Sequence, residues 1–178
     1  MKPSPKTGAI QKKDALHRRL DQITREFRVI CLREQFIEDV ISPFDSCREL
    51  ADYWRNFISK SPSFNPAIEC LFTVILNTRF RPKGYVLIST GILDTILVHP
   101  REVFRAAIIA GAAKIAVIHN HPSGDPSPSE ADIMVTRDLI RAGKILRIEV
   151  IDHLIMGRTR PKHPKDFSSL RELGYFYK

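Results

Sequence analysis

The sequence predicts an α/β fold in which a mixed β-sheet is flanked by helices. Three observations carry this. Short runs of β-forming residues recur between residues 71 and 151, several of them mostly apolar, as in strands covered on both faces. Helix starts, at Pro100 and at Ser127-Pro128, stand between some of those runs but not all, so a mixed sheet fits better than a doubly wound parallel one. The chain of 178 residues is long enough for one compact domain that buries roughly 70% of its unfolded surface and needs no staples.

The elements follow in order. Residues 1–14 are polar and basic with two prolines and are expected to be mobile. Leu16, Leu20 and Ile23 stand at helical spacing and predict a helix from Ala15, and Phe27 to Leu32 reads as a short strand. Ser42-Pro43 predicts a helix running to about Ile58, with Trp54 packed on the sheet. A turn cluster, Ser61 to Pro66, precedes the strand Leu71–Leu76. A second strand, Tyr85–Ser89, follows a hairpin connection over Arg79–Gly84, and Ile96–Val98 reads as a third. Pro100 opens a helix carrying Val103, Phe104, Ala107 and Ile108, closed by Gly111 in the left-handed region. Lys114–Ile118 is a strand. Ser127 as N-cap, Pro128 at the first helical position and Glu130 three residues on form a capping box, for a helix ending at Gly143. Ile145–Ile151 is the next strand.

Composition narrows the class. The formal charge is +8, but residues 1–28 carry net +5, residues 157–178 net +4, and residues 29–156 net −1. The basic excess therefore belongs to the two ends, which suit solvation or a weak hold on nucleic-acid phosphates. No aromatic residue interleaves with the basic ones before Phe27, so no single-strand stacking surface is expected. No apolar run approaches the roughly 20 residues of a membrane span, and the basic N-terminus lacks the apolar stretch of a signal peptide. Cys31, Cys47 and Cys70 are odd in number and widely spaced, which excludes a CxxC zinc knuckle and fits a reducing, cytoplasmic compartment.

The chemistry concentrates in His119-Asn120-His121-Pro122-Ser123-Gly124-Asp125, directly after a buried strand. Alternation on a strand sends His119 and His121 to one side, a two-nitrogen grip on a divalent metal. Six histidines in a chain of this length give such a pair by chance about 0.2 times, so the pair alone is weak. Ser129 and Asp132 lie three apart on one helix face, and Asp132 can swing back as a third ligand. Three protein ligands and a water are the pattern of a catalytic zinc rather than a structural one. Ser129 can then donate to a developing oxyanion. A general base is still required, and Glu69, opening the first core strand, is the candidate. His99 is expected to cap or pack near the site. Asp152 and His153 are neighbours after a strand and point oppositely, with His153 structural or supporting the site. Ser123 and Asp125 are expected to hold the turns of the ligand loop. His17 and His163 carry no readable signal. The His-x-Glu and Pro-Cys-x-x-Cys of zinc deaminases and the His-Glu-x-x-His of helical zinc proteases are absent from the sequence.

His-x-His-Pro, followed by Ser eight and Asp eleven residues after the second histidine, resembles the JAMM motif of JAB/MPN metallopeptidases. The wording around Glu69–Thr78, His99–Phe104, His119–Gly124, Ser129 with Asp132, and Asp152-His153 is most similar to the RadC-like branch. The resemblance covers about residues 27 to 176. It implies a three-layer fold like that of cytidine deaminases, and one zinc per chain held by His119, His121 and Asp132. It further implies Glu69 as base, Ser129 as oxyanion helper, and a peptide or isopeptide bond in a protein or peptide as substrate. Residues 1–26 are then a basic leading segment and 27–178 the RadC-like JAB/MPN domain. Longer RadC-like proteins carry a leading region resembling helix-hairpin-helix DNA-binding modules; some 26 residues before the first strand are too few for it. The contrasting expectation is a non-catalytic, metal-containing module that recruits nucleic acid or an acidic protein through its basic termini.

Overall fold

The computed structural model describes residues 43–91, 98–159, 161 and 164–177. Helix α1 spans Cys47–Asn56, a 3-10 turn Ile58–Lys60, strand β1 Glu69–Leu76, β2 Pro82–Gly91, helix α2 Pro100–Ile109, β3 Lys114–Asn120, α3 Glu130–Leu146, β4 Glu149–Met156 and β5 Phe167–Ser169. The strands form one sheet in the order β2-β1-β3-β4-β5. β1 is antiparallel to both β2 and β3, β3 and β4 run parallel, and β5 is antiparallel to β4, so the sheet is mixed as expected.

Alternation along the strands divides the core into two faces. Cys70, Phe72, Val74 and Leu76 of β1 pack with Ala116, Ile118 and the α1 residues Leu50, Tyr53 and Trp54. Leu71, Ile115 and Val117 pack on the other face with Val103, Phe104 and Ala107 of α2 and Leu139 of α3. The result is three layers, with α1 on one side and α2 and α3 on the other. Trp54 meets Phe72 and Phe64 edge-on, with ring centroids 5.8 and 5.1 Å away. Burial of each such side chain contributes about 1.5–3 kcal/mol.

Several boundaries differ from the sequence reading. α1 starts at Cys47, not after Ser42, because Phe44 N–H pairs with the Phe80 carbonyl at 3.1 Å and Glu49 accepts from the Ser46 N–H at 3.0 Å. It stops at Asn56, and Ile58 opens the 3-10 turn. β2 already begins at Pro82, since Asn77 Oδ1 accepts from the Arg79 and Arg81 N–H groups and tightens the turn before it. α3 starts at Glu130 with Ser129, not Ser127, as N-cap, and runs past Gly143 to Leu146. The Ser127 N–H is held instead by Asp125 Oδ1 at 2.9 Å. The following strand therefore begins at Glu149, after Arg147 turns the chain with a left-handed φ of 58°. Gly111 follows α2 at φ +60°, as its position predicted.

The expected helix from Ala15, the strand Phe27–Leu32, the boundary between 26 and 27 and the basic leading segment lie outside the described residues, as do Cys31, His17 and His163. The expected strand Ile96–Val98 falls there too, except Val98, which is buried and outside any strand. Among the described residues no helix is long and apolar enough to cross a membrane.

Candidate metal centre

The centre forms where β3 ends on the α2/α3 face. His119 is the penultimate residue of β3, and the His121 N–H bonds to the Met156 carbonyl at 2.9 Å, extending the contact with β4. Asp132 sits in the first turn of α3. Its Oδ2 accepts from both the Ser129 N–H at 2.8 Å and the Ser129 hydroxyl at 2.6 Å, while Asp132 N–H donates to Ser129 Oγ at 3.2 Å. This reciprocal capping box bends the carboxylate back over the helix start, towards the strand. His119 Nε2 lies 3.2 Å from Asp132 Oδ1, His121 Nε2 lies 3.6 Å from Oδ2, and the two Nε2 atoms are 3.0 Å apart. One ligand atom from each of the three residues lies within 4.8 Å of the others.

The outer hydrogen bonds decide what those atoms offer. His121 Nδ1 is 2.7 Å from the Asp125 carbonyl, which can only accept, so Nδ1 carries the proton and Nε2 a lone pair. Thr136 Oγ1 donates to the Asp132 carbonyl at 2.6 Å, so it accepts from His153 Nδ1, also at 2.6 Å. His153 Nε2 is then the acceptor for His119 Nδ1–H at 2.9 Å, and His119 Nε2 also presents a lone pair. Two nitrogen lone pairs and a carboxylate thus converge on one buried point, an arrangement that calls for a cation. The donor set of two imidazoles and one carboxylate fits zinc or a similar divalent ion.

Titration follows the same geometry. Burial pushes the Asp132 carboxyl up, but the neighbouring His119 and His121 rings, which gain a proton most readily beside this carboxylate, and the Ser129 hydroxyl outweigh it and hold the group well below the usual carboxylate range. Burial lowers His121, while Asp132, the Asp125 carbonyl and the charge of Glu69 raise it further, for a net rise. His153 is driven down to about 3 by burial and then by His119, so it stays neutral and keeps its relay role.

The ligand loop is stiff. Gly124 takes φ +80° and its N–H returns to the His121 carbonyl at 2.9 Å. Asp125 N–H meets Ser123 Oγ at 3.2 Å, so Ser123 and Asp125 hold turns as their sequence suggested. Glu69 opens β1 and pairs across to Gly91 of β2. Leu71 stands opposite His119, and alternation along β1 returns Glu69 to the face of Leu71, where its charge is felt by His121. His99 takes the N-cap position of α2, but its side chain makes no capping bond there.

Asp152 and His153 lie within β4 rather than after a strand. The register slips by one residue between Ile115 and Ala116, so Ile151 and Asp152 both fall on the α1 side and His153 returns to the metal side with Val150. The expectation that His153 is structural or supports the site agrees with its bonds to His119 and Thr136, whereas sequence reasoning passed over Thr136. The available signal for Thr136 was its place one turn after Asp132 on the same helix face.

The profile of the RadC-like JAB domain matches residues 44–175 of this chain. The chain belongs to the RadC-like JAB domain family. This JAB domain is 48% identical over 137 residues to a UPF0758 protein of Caldanaerobacter subterraneus, covering 77% of the chain and 52% of the relative. It is 54% identical over 100 residues to a UPF0758 protein of Moorella thermoacetica, covering 56% and 41%. A UPF0758 protein of Desulforamulus reducens aligns over 168 residues at 37% identity, covering 93% and 63%. The chain therefore spans about half the length of the curated relatives it matches.

Proposed function

We propose that this RadC-like JAB domain is a zinc-dependent hydrolase of peptide or isopeptide bonds, acting on a protein or peptide. The convergence of His119 Nε2, His121 Nε2 and Asp132 on one buried point, with Glu69 on the same sheet face, carries the reading. His119, His121 and Asp132 would hold one zinc ion, which when bound lowers the pKa of water and polarises a carbonyl. Glu69, on the same face of the sheet, takes the proton of the attacking water and passes it to the leaving amine. Ser129, whose hydroxyl here donates to Asp132, turns that donor to the substrate oxygen as negative charge develops on it. His153 and the Asp125 carbonyl keep both imidazoles in the ligating tautomer. The two described cysteines, Cys47 and Cys70, are unbridged, which supports a cytoplasmic setting.

Elemental analysis and turnover of a fluorogenic peptide and isopeptide panel test this together. Wild type and Glu69→Gln should each hold about one zinc per chain, with hydrolysis falling to background in Glu69→Gln. Asp132→Ala should lose the zinc. Wild-type turnover in Glu69→Gln would remove the base assignment, and a folded wild type that takes up no zinc would overturn the reading.

A further inference from the structure

Asn120 stands between two ligands, and alternation points its side chain to the opposite face of the sheet from theirs. It is 6% exposed. Its amide oxygen accepts from the Cys70 N–H at 2.9 Å, and its amide nitrogen donates to the Ile68 carbonyl at 3.0 Å. These two backbone groups flank Glu69. The ladder between β1 and β3 ends at the pair Leu71–His119. On the β2 side, Glu69 pairs with Gly91. The Asn120 amide continues the connection to β3 where the backbone ladder stops.

We infer that Asn120 is a positioning residue for Glu69, clamping the main chain on both sides of it to the end of the strand that carries His119 and leads directly into His121. The inference rests on the hydrolase reading for its catalytic consequence, and on geometry alone for the clamp. One planar side chain with a donor and an acceptor makes both bonds, so the two peptide groups around Glu69 are oriented as a unit. The Asn120 Cα belongs to the same short segment as both ligand Cα atoms, so Glu69 is referenced directly to them. Aspartate has the size but offers only acceptors and sets a charge against the Ile68 carbonyl. Serine is too short to reach both groups. Misplacing a catalytic group by about 1 Å costs up to roughly 100-fold in rate.

The test uses the full chain loaded with zinc, as wild type, Asn120→Asp and Asn120→Ser. Backbone amide exchange at residues 68–71 should accelerate at least tenfold in both variants, with residues 74–76 unchanged and zinc still about one per chain. On whichever peptide of the fluorogenic panel the wild type cleaves, kcat should fall about tenfold or more with KM unchanged. Glu69→Gln combined with Asn120→Ser should be no slower than Glu69→Gln alone, since both act through one group. Exchange at residues 68–71 that stays at the wild-type rate overturns the clamp. Faster exchange with kcat retained overturns its catalytic role. If the wild type cleaves nothing on the panel, the hydrolase reading fails separately and exchange alone decides the clamp.

Discussion

Thr136→Val isolates the relay behind His119. The substitution keeps the shape of a side chain that is fully buried and removes only its hydroxyl. In the native chain that hydroxyl donates to the Asp132 carbonyl and accepts from His153 Nδ1, both at 2.6 Å. Valine leaves His153, which burial keeps neutral, with one N–H and no acceptor at Nδ1. Two responses are open. His153 can keep its tautomer with a buried, unpaired donor, which costs about 1–3 kcal/mol of stability. Alternatively its proton moves to Nε2 and faces His119 Nδ1, which forces the His119 proton onto Nε2, where the ion must bind. The same 1–3 kcal/mol then appears as a loss of about 5- to 150-fold in zinc affinity. That range overlaps the 10- to 100-fold typical for loss of a group that orients a metal ligand. Competition against a chromogenic zinc chelator reads the affinity, and thermal melts with and without zinc separate the two responses. A variant with zinc affinity within threefold of wild type and an unchanged metal-free melt would refute the directional relay.

Two further predictions concern the supports of the site. A Cβ at Gly157 would meet the Gly124 carbonyl oxygen at 2.6 Å and Pro126 at 2.9 Å, so Gly157→Ala should push the loop that brings the Asp125 carbonyl to His121. It should cost about 1–3 kcal/mol in urea melts and weaken zinc binding; wild-type values of both would contradict the packing argument. Asp152 is raised to about 6, chiefly by burial and against hydrogen bonds from Ser169, His153 and Arg171. A folded-state pKa above the unfolded 3.8 means that this group's contribution to stability is complete below pH 3.8 and is lost as pH rises through about 6. Ser169→Ala removes a 2.7 Å donor to that carboxylate and should carry the loss to higher pH. Urea melts from pH 4 to 8 check this, and parallel profiles for the two proteins would count against it.

The convergence of His119, His121 and Asp132 was legible because its signals are local: a strand fixes where His119 and His121 point, and a helix start fixes where Asp132 can reach. The fold class was legible for the same reason, from apolar runs such as Leu71–Leu76. The helix start was misplaced by two residues because Ser127-Pro128 and Ser129 each satisfy a capping pattern on their own. The choice was made by contacts outside the pattern: Asp125 takes the Ser127 N–H, and Asp132 is the acid that closes a box with Ser129. This shift has a chemical consequence. The Ser129 hydroxyl and Asp132 carboxylate are bonded to each other, so the ligand is aimed by the residue proposed to serve the oxyanion.

The support of His119 was not legible, because it depends on a one-residue slip between two parallel strands. Counting by twos along β4 from Val150 sets His153 on the α1 side, away from the ligands. The slip between Ile115 and Ala116 reverses this and sends Asp152 to the α1 face instead. The slip is stabilised from the Asp152 side, where the carboxylate accepts from Ser169 Oγ and the Arg171 N–H, while Arg171 Nη1 donates to the Ile151 carbonyl at 2.8 Å. Polar contacts on one face of the sheet therefore set the tautomer of a candidate metal ligand on the other. No periodicity in the sequence announces such a link, because the residues that enforce it lie in β5 and just after it.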